Sequence, residues 1–199
     1  MHDVDAFLPL FLGYTVGSLP LGYLIASRLR GIDLRRVGSG NVGATNVYRS
    51  AGLATALLVI LVDVAKGAGS VLLAARILAG PSAPVAAGVA AIIGHVYPVW
   101  LRFRGGKGVA TACGAFSILA PLATAIAGLM FVITVWATRY VSLGSLVATI
   151  TLPTLAWLTR GSMPVVTGGV VAALLIIERH RGNLVRLRDG TERRLGQRI

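Results

Sequence analysis

Six long apolar runs occupy most of the chain and limit its fold more than any other feature of the sequence. They cover residues 6–27, 51–78, 82–101, 108–138, 142–159 and 162–179. A helix of about 20 apolar residues spans the roughly 30 Å hydrocarbon core of a bilayer. Of the 199 residues, 55% are hydrophobic and 13% are charged, against about 25% charged in soluble domains. The sequence therefore predicts an all-α polytopic membrane protein, with residues 1–199 as one domain.

The run at 108–138 is too long for one ordinary span, and Pro121 lies near its middle. Proline often starts a new helix, because it lacks the N–H that a helix interior needs. If the run forms two short helices, each roughly 20 Å long, the chain crosses seven times. All 19 cations except Lys66, Arg76 and Arg160 then share one side with the arginine-rich tail. The positive-inside rule favours this arrangement. We therefore predict seven transmembrane helices including two short ones, with the amino terminus outside and the carboxyl terminus cytoplasmic.

A cationic glycine loop, residues 104–110 with the sequence RGGKGVA, begins the first of the two short helices. Gly105, Gly106 and Gly108 allow main-chain N–H groups to turn toward a ligand, and Lys107 adds a point charge. A helix N-terminus also favours phosphate. The loop is not a P-loop, because neither Ser nor Thr follows Lys107. It therefore predicts a phosphate site without ATP or GTP hydrolysis.

A second polar segment, residues 38–49, combines glycines, small hydroxyls and amides with a terminal arginine. Asn46 and Arg49 are three apart and share a face if the segment is helical. Arginine binds phosphate as a bidentate fork. The alternative is an ordinary polar turn capped by Ser39. The candidate substrate-binding and catalytic residues of this segment are Ser39, Asn41, Thr45, Asn46 and Arg49.

Three further segments carry polar side chains on the same predicted side. His95 ends an apolar run, and is either a general base or a structural histidine bonded to a loop carbonyl. Ser142 and Ser145 share one helix face, although serines in membrane helices often bond only their own backbone. His180 and Asn183 are also three apart, in an arginine-rich segment that could alternatively anchor to anionic lipid.

Asp63 and Lys66 lie one turn apart inside the second run. Each charge would be costly alone in hydrocarbon, so they either pair structurally or face a cavity. The chain has no HxxxxD, no GxSxG and no carboxylate pair, and its single cysteine, Cys113, excludes internal disulfides. No cluster suggests a metal, a cofactor is not expected, and nothing resembles a nucleic-acid-reading motif.

The polar segments together resemble the bacterial acyl-phosphate:glycerol-3-phosphate acyltransferases over nearly the whole chain. The residues that carry the resemblance are SGNVGATNVYR (39–49), GHVYPVWLRFRGGKGVAT (94–111), RYVSLGS (139–145) and ERHRGNLVRLRDGTE (178–192). The resemblance implies a seven-span enzyme of the bacterial inner membrane with a cytoplasmic active site. It also implies acyl transfer from acyl-phosphate to the 1-hydroxyl of glycerol 3-phosphate. The products would be lysophosphatidic acid and phosphate, in the first acylation step of phospholipid biosynthesis.

Roles follow from this resemblance and from the missing activated nucleophile, which favours direct displacement without an acyl-enzyme. The residues expected to hold the acyl-phosphate are Ser39, Lys107, Ser145, His180 and Asn183. Those expected to hold or align glycerol 3-phosphate are Asn46, Arg49 and the backbone of Gly105, Gly106 and Gly108. Further substrate-binding candidates are Asn41, Thr45, His95 and Ser142. The alcohol proton goes either to His180 or to a substrate phosphate oxygen. The other partner is membrane lipid, a monomer is expected, and the rival interpretations are an organic-phosphate transporter and a lipid-binding scaffold.

Overall fold

The computed structural model describes residues 3–197, with side chains from residue 7 onward, and all regular elements in this part of the chain are helical. Residues 1–2 and 198–199, the ends of the predicted domain, lie outside the described residues. The elements in chain order are α1 (Asp3–Ser18), α2 (Leu21–Arg30), α3 (Ala44–Ala51), α4 (Leu53–Ile77), α5 (Ser82–Val96), a 3₁₀ turn (Val99–Leu101), α6 (Val109–Leu119), α7 (Pro121–Thr138), α8 (Val141–Leu158), α9 (Met163–Arg179) and α10 (Arg181–Arg188). The prediction of an all-α chain is confirmed.

The predicted break in the fourth apolar run is confirmed, but two expectations about helix length are wrong. Pro121 opens α7 directly after α6 ends. The 18 residues of α7 reach about 27 Å, so only α6 is short. The run at 6–27 forms two helices rather than one: α1 ends at Ser18, and α2 begins at Leu21, directly after Pro20. Proline has no N–H to continue the hydrogen bonding of a helix.

By length and composition, five segments between residues 3 and 197 are able to cross a membrane. They are Phe7–Arg30, Leu53–Ile77, Ser82–Leu101, Pro121–Thr138 and Val141–Leu158. Helices α9 and α10 form a sixth candidate if they are taken together, although they are bent by 58°. The 11 residues of α6 reach only about 17 Å. Seven crossings therefore require α6 to act as a half-length span, and that count and the orientation of the termini stay predictions.

Small residues allow the helices to approach closely. A Cβ at Gly13 or Gly17 of α1 would overlap the backbone of α5, at Ala87 and Ala91 respectively. Gly67 of α4 is similarly pressed against the α6 backbone. In lipid no hydrophobic driving force acts between helices, so close packing of this kind holds them together. Gly69 of α4 makes no such approach, because nothing lies within 4 Å of a Cβ placed there.

The interior and exterior of the bundle are both apolar. A core around the fully buried Phe116 joins residues from α4 to α9. Large apolar side chains also point outward, among them Trp136 at 84% and Leu174 at 66% exposure. An apolar exterior of this extent suits contact with lipid rather than water. Some polar side chains are buried inside α4 and α5, and others lie where α3, α8, α10 and the loops before α3 and α6 meet, which is where the candidate site lies.

Candidate active site

Glu192 lies at the centre of the polar site, where it accepts hydrogen bonds from three side chains. After α10, a turn through Gly190 at φ +70° brings the chain back, and the side chain of Glu192 is 6% exposed. Its Oε1 accepts from Ser142 Oγ at 2.8 Å and from Asn183 Nδ2 at 2.7 Å. Its Oε2 accepts from Arg186 Nε at 2.7 Å. Burial opposes ionisation, but the bonds from Asn183, Ser142 and Arg186 together lower the Glu192 pKa, so it remains a carboxylate.

Lys107 joins this network through the other end of the Asn183 amide. Its Nζ donates to Asn183 Oδ1 in a short hydrogen bond. Burial lowers the pKa of Lys107 to about 8, although the nearby charge of Glu192 acts in the opposite direction. The neighbouring cations Arg186, Arg179 and Arg49 lower it further. Lys107 thus has three arginines and one carboxylate near it, and this excess positive charge suits a phosphate-bearing ligand.

The glycine loop turns two of its N–H groups inward. Gly105 N–H donates to the carbonyl of Val96 at 3.0 Å, and Gly106 N–H donates to the carbonyl of His95 at 3.1 Å. These two groups are therefore occupied before a ligand arrives, and the N–H groups of Lys107, Gly108 and the first turn of α6 are better placed to bind one. A Cβ at Gly105 or Gly106 would overlap His95, so close approach explains both glycines.

The segment before α3 is organised by the Asn46 side chain. Its Oδ1 accepts from the Ser39 N–H at 3.0 Å, and its Nδ2 donates to the carbonyls of Leu34 at 3.2 Å and Val37 at 3.0 Å. Asn46 is 2% exposed and has used both donors on its own loop. It therefore places Ser39, which is exposed, rather than facing a ligand itself.

Two other residues of this segment connect it to the rest of the site. Asn41 donates from Nδ2 to the carbonyl of Gly105 at 3.3 Å, which ties the segment to the glycine loop. Arg49 lies on α3 and donates from Nη2 to the carbonyl of Arg193 at 3.3 Å, beside Glu192. Thr45 lies four residues before Arg49 on α3 and therefore on the same face of the helix.

His180 and Asn183 lie at the bend between α9 and α10. His180 is 2% exposed, and its Nδ1 is 2.8 Å from the carbonyl of Ile176. Because a carbonyl accepts only, Nδ1 carries a proton, and in the neutral ring Nε2 keeps its lone pair. Asn183 follows one turn later and contacts both Lys107 and Glu192. The predicted pairing of His180 and Asn183 on one side of the site is consistent with this geometry.

The structure separates the two serines and moves His95 away from the network. Ser142 binds Glu192, whereas Ser145 donates to the carbonyl of Val141 in its own helix at 2.9 Å. His95 is 8% exposed and directs Nδ1 toward Asp63 Oδ1 at 3.4 Å. The His95 ring therefore faces a carboxylate of α4 rather than the loop carbonyl that the structural alternative named.

Sequence comparison identifies the family. Residues 7–190 match the family described as glycerol-3-phosphate acyltransferase. The chain belongs to the glycerol-3-phosphate acyltransferase family. It is 49% identical over 195 residues to the glycerol-3-phosphate acyltransferase of Synechococcus sp. strain CC9902, covering 98% of this chain and 97% of that one. It is 46% identical over 184 residues to that of Myxococcus xanthus strain DK1622, covering 92% of this chain and 96% of that one.

Solved structures agree with this acyltransferase assignment. The fold is similar to PlsY, an integral membrane glycerol 3-phosphate acyltransferase, in its glycerol 3-phosphate form, with a TM-score of 0.90 and 39% identity. The match covers 96% of each chain. The lysophosphatidic acid form of PlsY gives a TM-score of 0.88 and 38% identity, over 96% of this chain and 95% of that one. The chain is thus an integral membrane acyltransferase of phospholipid biosynthesis, which decides against the transporter and scaffold interpretations.

Three residues of the acyltransferase site received no role from the sequence. Glu192 and Arg186 lie within the segment 178–192 that carried the resemblance, yet a glutamate among arginines first suggests a surface ion pair. Arg179 stacks over the Tyr97 ring at 5.6 Å, and its buried Nε has no partner within residues 3–197. The available signal was an acid, Glu192, at the end of a segment that carries four arginines, which is a pattern compatible with an internal counterion.

Proposed function

We propose that this acyltransferase uses acyl-phosphate as its donor and acylates the 1-hydroxyl of glycerol 3-phosphate, releasing lysophosphatidic acid and inorganic phosphate. The observation that carries the proposal is the group of cations formed by Lys107 with Arg186, Arg179 and Arg49 near it, beside the carboxylate of Glu192 that Arg186 contacts directly. Both proposed substrates are phosphate esters or anhydrides, so such a site would bind both. The glycerol 3-phosphate and lysophosphatidic acid forms of PlsY support this choice of acceptor and product.

The reaction we propose is a single displacement. The glycerol 3-phosphate hydroxyl oxygen attacks the acyl carbon, the bond from that carbon to the phosphate oxygen breaks, and phosphate leaves with the electron pair. A serine nucleophile would need a base. The carboxylate next to Ser142 is a poor one, since three donors stabilise its ionised form. Acyl-phosphate is already activated, so positioning and charge stabilisation are sufficient.

The proposed roles combine the geometry of the network, which joins Lys107 and Asn183, with the family resemblance, which adds Ser39, Ser145 and His180. Lys107 and Asn183, with Ser39, Ser145 and His180, hold the phosphate and carbonyl of the donor. Arg49 and the N-terminus of α6 hold glycerol 3-phosphate, while Asn46 acts indirectly by fixing the Ser39 loop. The alcohol proton passes to Nε2 of His180 or to a substrate phosphate oxygen. Continued turnover by His180→Gln, which has no comparable base, would assign the proton to phosphate.

We further propose that the enzyme works as a monomer at the cytoplasmic face of the bacterial inner membrane. One chain supplies every residue of the network, from α3, α8, α9, α10, the segment after α10 and the loop before α6. The positive-inside argument favours a cytoplasmic position for the ends of these elements that carry the network. The apolar exterior of the bundle lets the acyl chain of donor and product enter from lipid.

The test separates donor and mechanism. Purified enzyme receives glycerol 3-phosphate with acyl-phosphate, acyl-CoA or acyl carrier protein, and only acyl-phosphate is expected to give lysophosphatidic acid with stoichiometric phosphate. Isotope-labelled phosphate is then incubated with acyl-phosphate and enzyme, without acceptor. A direct displacement leaves acyl-phosphate unlabelled, whereas an acyl-enzyme would exchange label into it. Product formation from acyl-CoA alone would refute the proposed donor.

A further inference from the structure

A buried polar cluster of Asp63, Lys66 and His95 lies in the interior of the helix bundle. Lys66 Nζ is 3.0 Å from Asp63 Oδ1, and their side chains are 5% and 4% exposed. His95 Nδ1 approaches the same oxygen at 3.4 Å. A buried charge is costly unless it is paired. A cluster retained at this depth therefore calls for an explanation beyond stability.

The ion pair does not itself hold two helices together. Asp63 and Lys66 both lie on α4, one turn apart, so their attraction stays within one helix. The polar contact that leaves α4 from this pair, among the described residues, is the one to His95 at the end of α5. The pair thus acts as a fixed acceptor that orients the His95 ring.

His95 in turn contacts the glycine loop with both its ring and its backbone. The Nε2 edge of the ring lies against Gly106, where a Cβ would overlap it. The carbonyl of His95 accepts the Gly106 N–H at 3.1 Å. Lys107 follows directly, and its Nζ reaches Asn183. A continuous set of contacts therefore runs from Asp63 through His95 to Lys107.

Helix α4 also supports the far end of the loop. Gly67, next to Lys66, lies so close to α6 that a Cβ would overlap the carbonyl of Thr111. Gly114 of α6 lies equally close to the carbonyl of Val64. The loop is thus attached to one helix at both ends, through His95 before it and α6 after it.

We propose that Asp63, Lys66 and His95 are positioning residues that hold the loop at 105–107 in the conformation that presents Lys107 to the substrate phosphate. They do not touch substrate and take no proton in the reaction. The inference rests on the proposed function, because it assumes that Lys107 binds a substrate phosphate. It answers why a carboxylate, an ammonium and an imidazole are buried together in an apolar bundle.

Two variants test the inference, with Ser70→Ala as a matched control. His95→Leu removes the ring that covers Gly106 and leaves the ion pair intact. Asp63→Leu with Lys66→Met removes both charges, so that no lone charge stays buried, and such replacements are often neutral or stabilising. Ser70 is buried on α4 and donates only to the Lys66 carbonyl of its own helix at 2.8 Å.

The expected result is a change in catalysis without a loss of fold. Both variants should lower kcat/KM for glycerol 3-phosphate by about 10- to 100-fold, as small misplacements of binding groups do. The double variant should melt at or above the wild-type temperature. His95→Gln keeps an N–H donor for Asp63 and should recover part of the loss. Ser70→Ala should match wild type in both measurements.

Hydrogen exchange of the peptide that covers 102–108 gives a readout that needs no substrate. It should speed up in His95→Leu and in the double variant, while peptides from α4 stay protected. Unchanged exchange and kinetics, or losses confined to melting temperature and active fraction, would overturn the positioning role. If wild-type enzyme makes no lysophosphatidic acid from acyl-phosphate, the proposed function fails instead, and the exchange measurement still decides the positioning of the loop.

Discussion

The alkaline pH dependence of the enzyme tests the role of Lys107 most directly. Burial, with the neighbouring cations, lowers the Lys107 pKa from its usual 10.5 to about 8. The ammonium that binds phosphate therefore loses its proton within the measurable range. With a pKa of about 8, roughly nine-tenths of the free enzyme carries the charge at pH 7 and roughly one-tenth at pH 9. We expect kcat/KM for glycerol 3-phosphate to fall about tenfold across these two units.

Substrate ionisation does not obscure this fall. A phosphate monoester has its second pKa near 6, so its charge is constant between pH 7 and 9. Unfolding does not obscure it either, because the titration of Lys107 raises the free energy of unfolding over the same pH range. Lys107 has a lower pKa in the folded chain, so between about pH 8 and 10.5 the unfolded chain binds more protons. The titration of Lys107 therefore stabilises the fold as pH rises, by up to about 3 kcal/mol, while activity falls.

The assay is phosphate release at subsaturating glycerol 3-phosphate over pH 6.5 to about 10, with melting temperature measured in parallel. Lys107→Arg is the control, because a guanidinium stays charged throughout this range. Any activity that the arginine variant retains should lose the alkaline decline. A wild-type profile that stays flat beyond about pH 9.5, or the same decline in both proteins, would refute the assignment of this limb to Lys107.

Three further substitutions test the supporting contacts. The amide in Glu192→Gln cannot accept hydrogen bonds from all three donors, and each charge-assisted bond contributes about 1.5–3 kcal/mol. We therefore expect kcat/KM to fall at least about tenfold in a steady-state assay. Asn46→Ala leaves two carbonyls and the Ser39 N–H without partners, at about 1–3 kcal/mol for each buried group; a melting temperature in detergent equal to wild type would contradict this. Gly106→Ala places a methyl in the His95 ring and should reduce turnover at least about tenfold, whereas Gly69→Ala, with open space around it, should be neutral in the same assay.

Local chemistry made the helical runs and the break at Pro121 predictable. An apolar run of 20 residues has few alternatives to a helix in lipid, because every backbone group must be bonded internally. The same reasoning did not predict the break at Pro20. A proline alone does not mark a break, because Pro9 and Pro153 lie inside helices α1 and α8. Whether a proline interrupts a helix depends on packing that the local sequence does not contain.

The candidate residues were predictable as types but not as partners. Lys107 and Asn183 were expected at one site, and the structure joins them in one hydrogen bond. Asn46 was expected to align a substrate, yet its amide is used within its own loop. An asparagine has the same donors and acceptors in either setting, so only the fold determines which groups it meets.

The sequence by itself determined that the chain lies in a membrane, that it is helical and which segments carry phosphate-binding side chains. These properties follow from composition and from motifs of contiguous residues. The tertiary structure alone decided which side chains meet. Glu192 joins Ser142 from 50 residues away, and Lys107 meets Asn183 from 76 residues away. It also turned the N–H groups of Gly105 and Gly106 inward, where the carbonyls of Val96 and His95 accept them. Contacts between distant segments depend on how helices pack, and no local pattern records that.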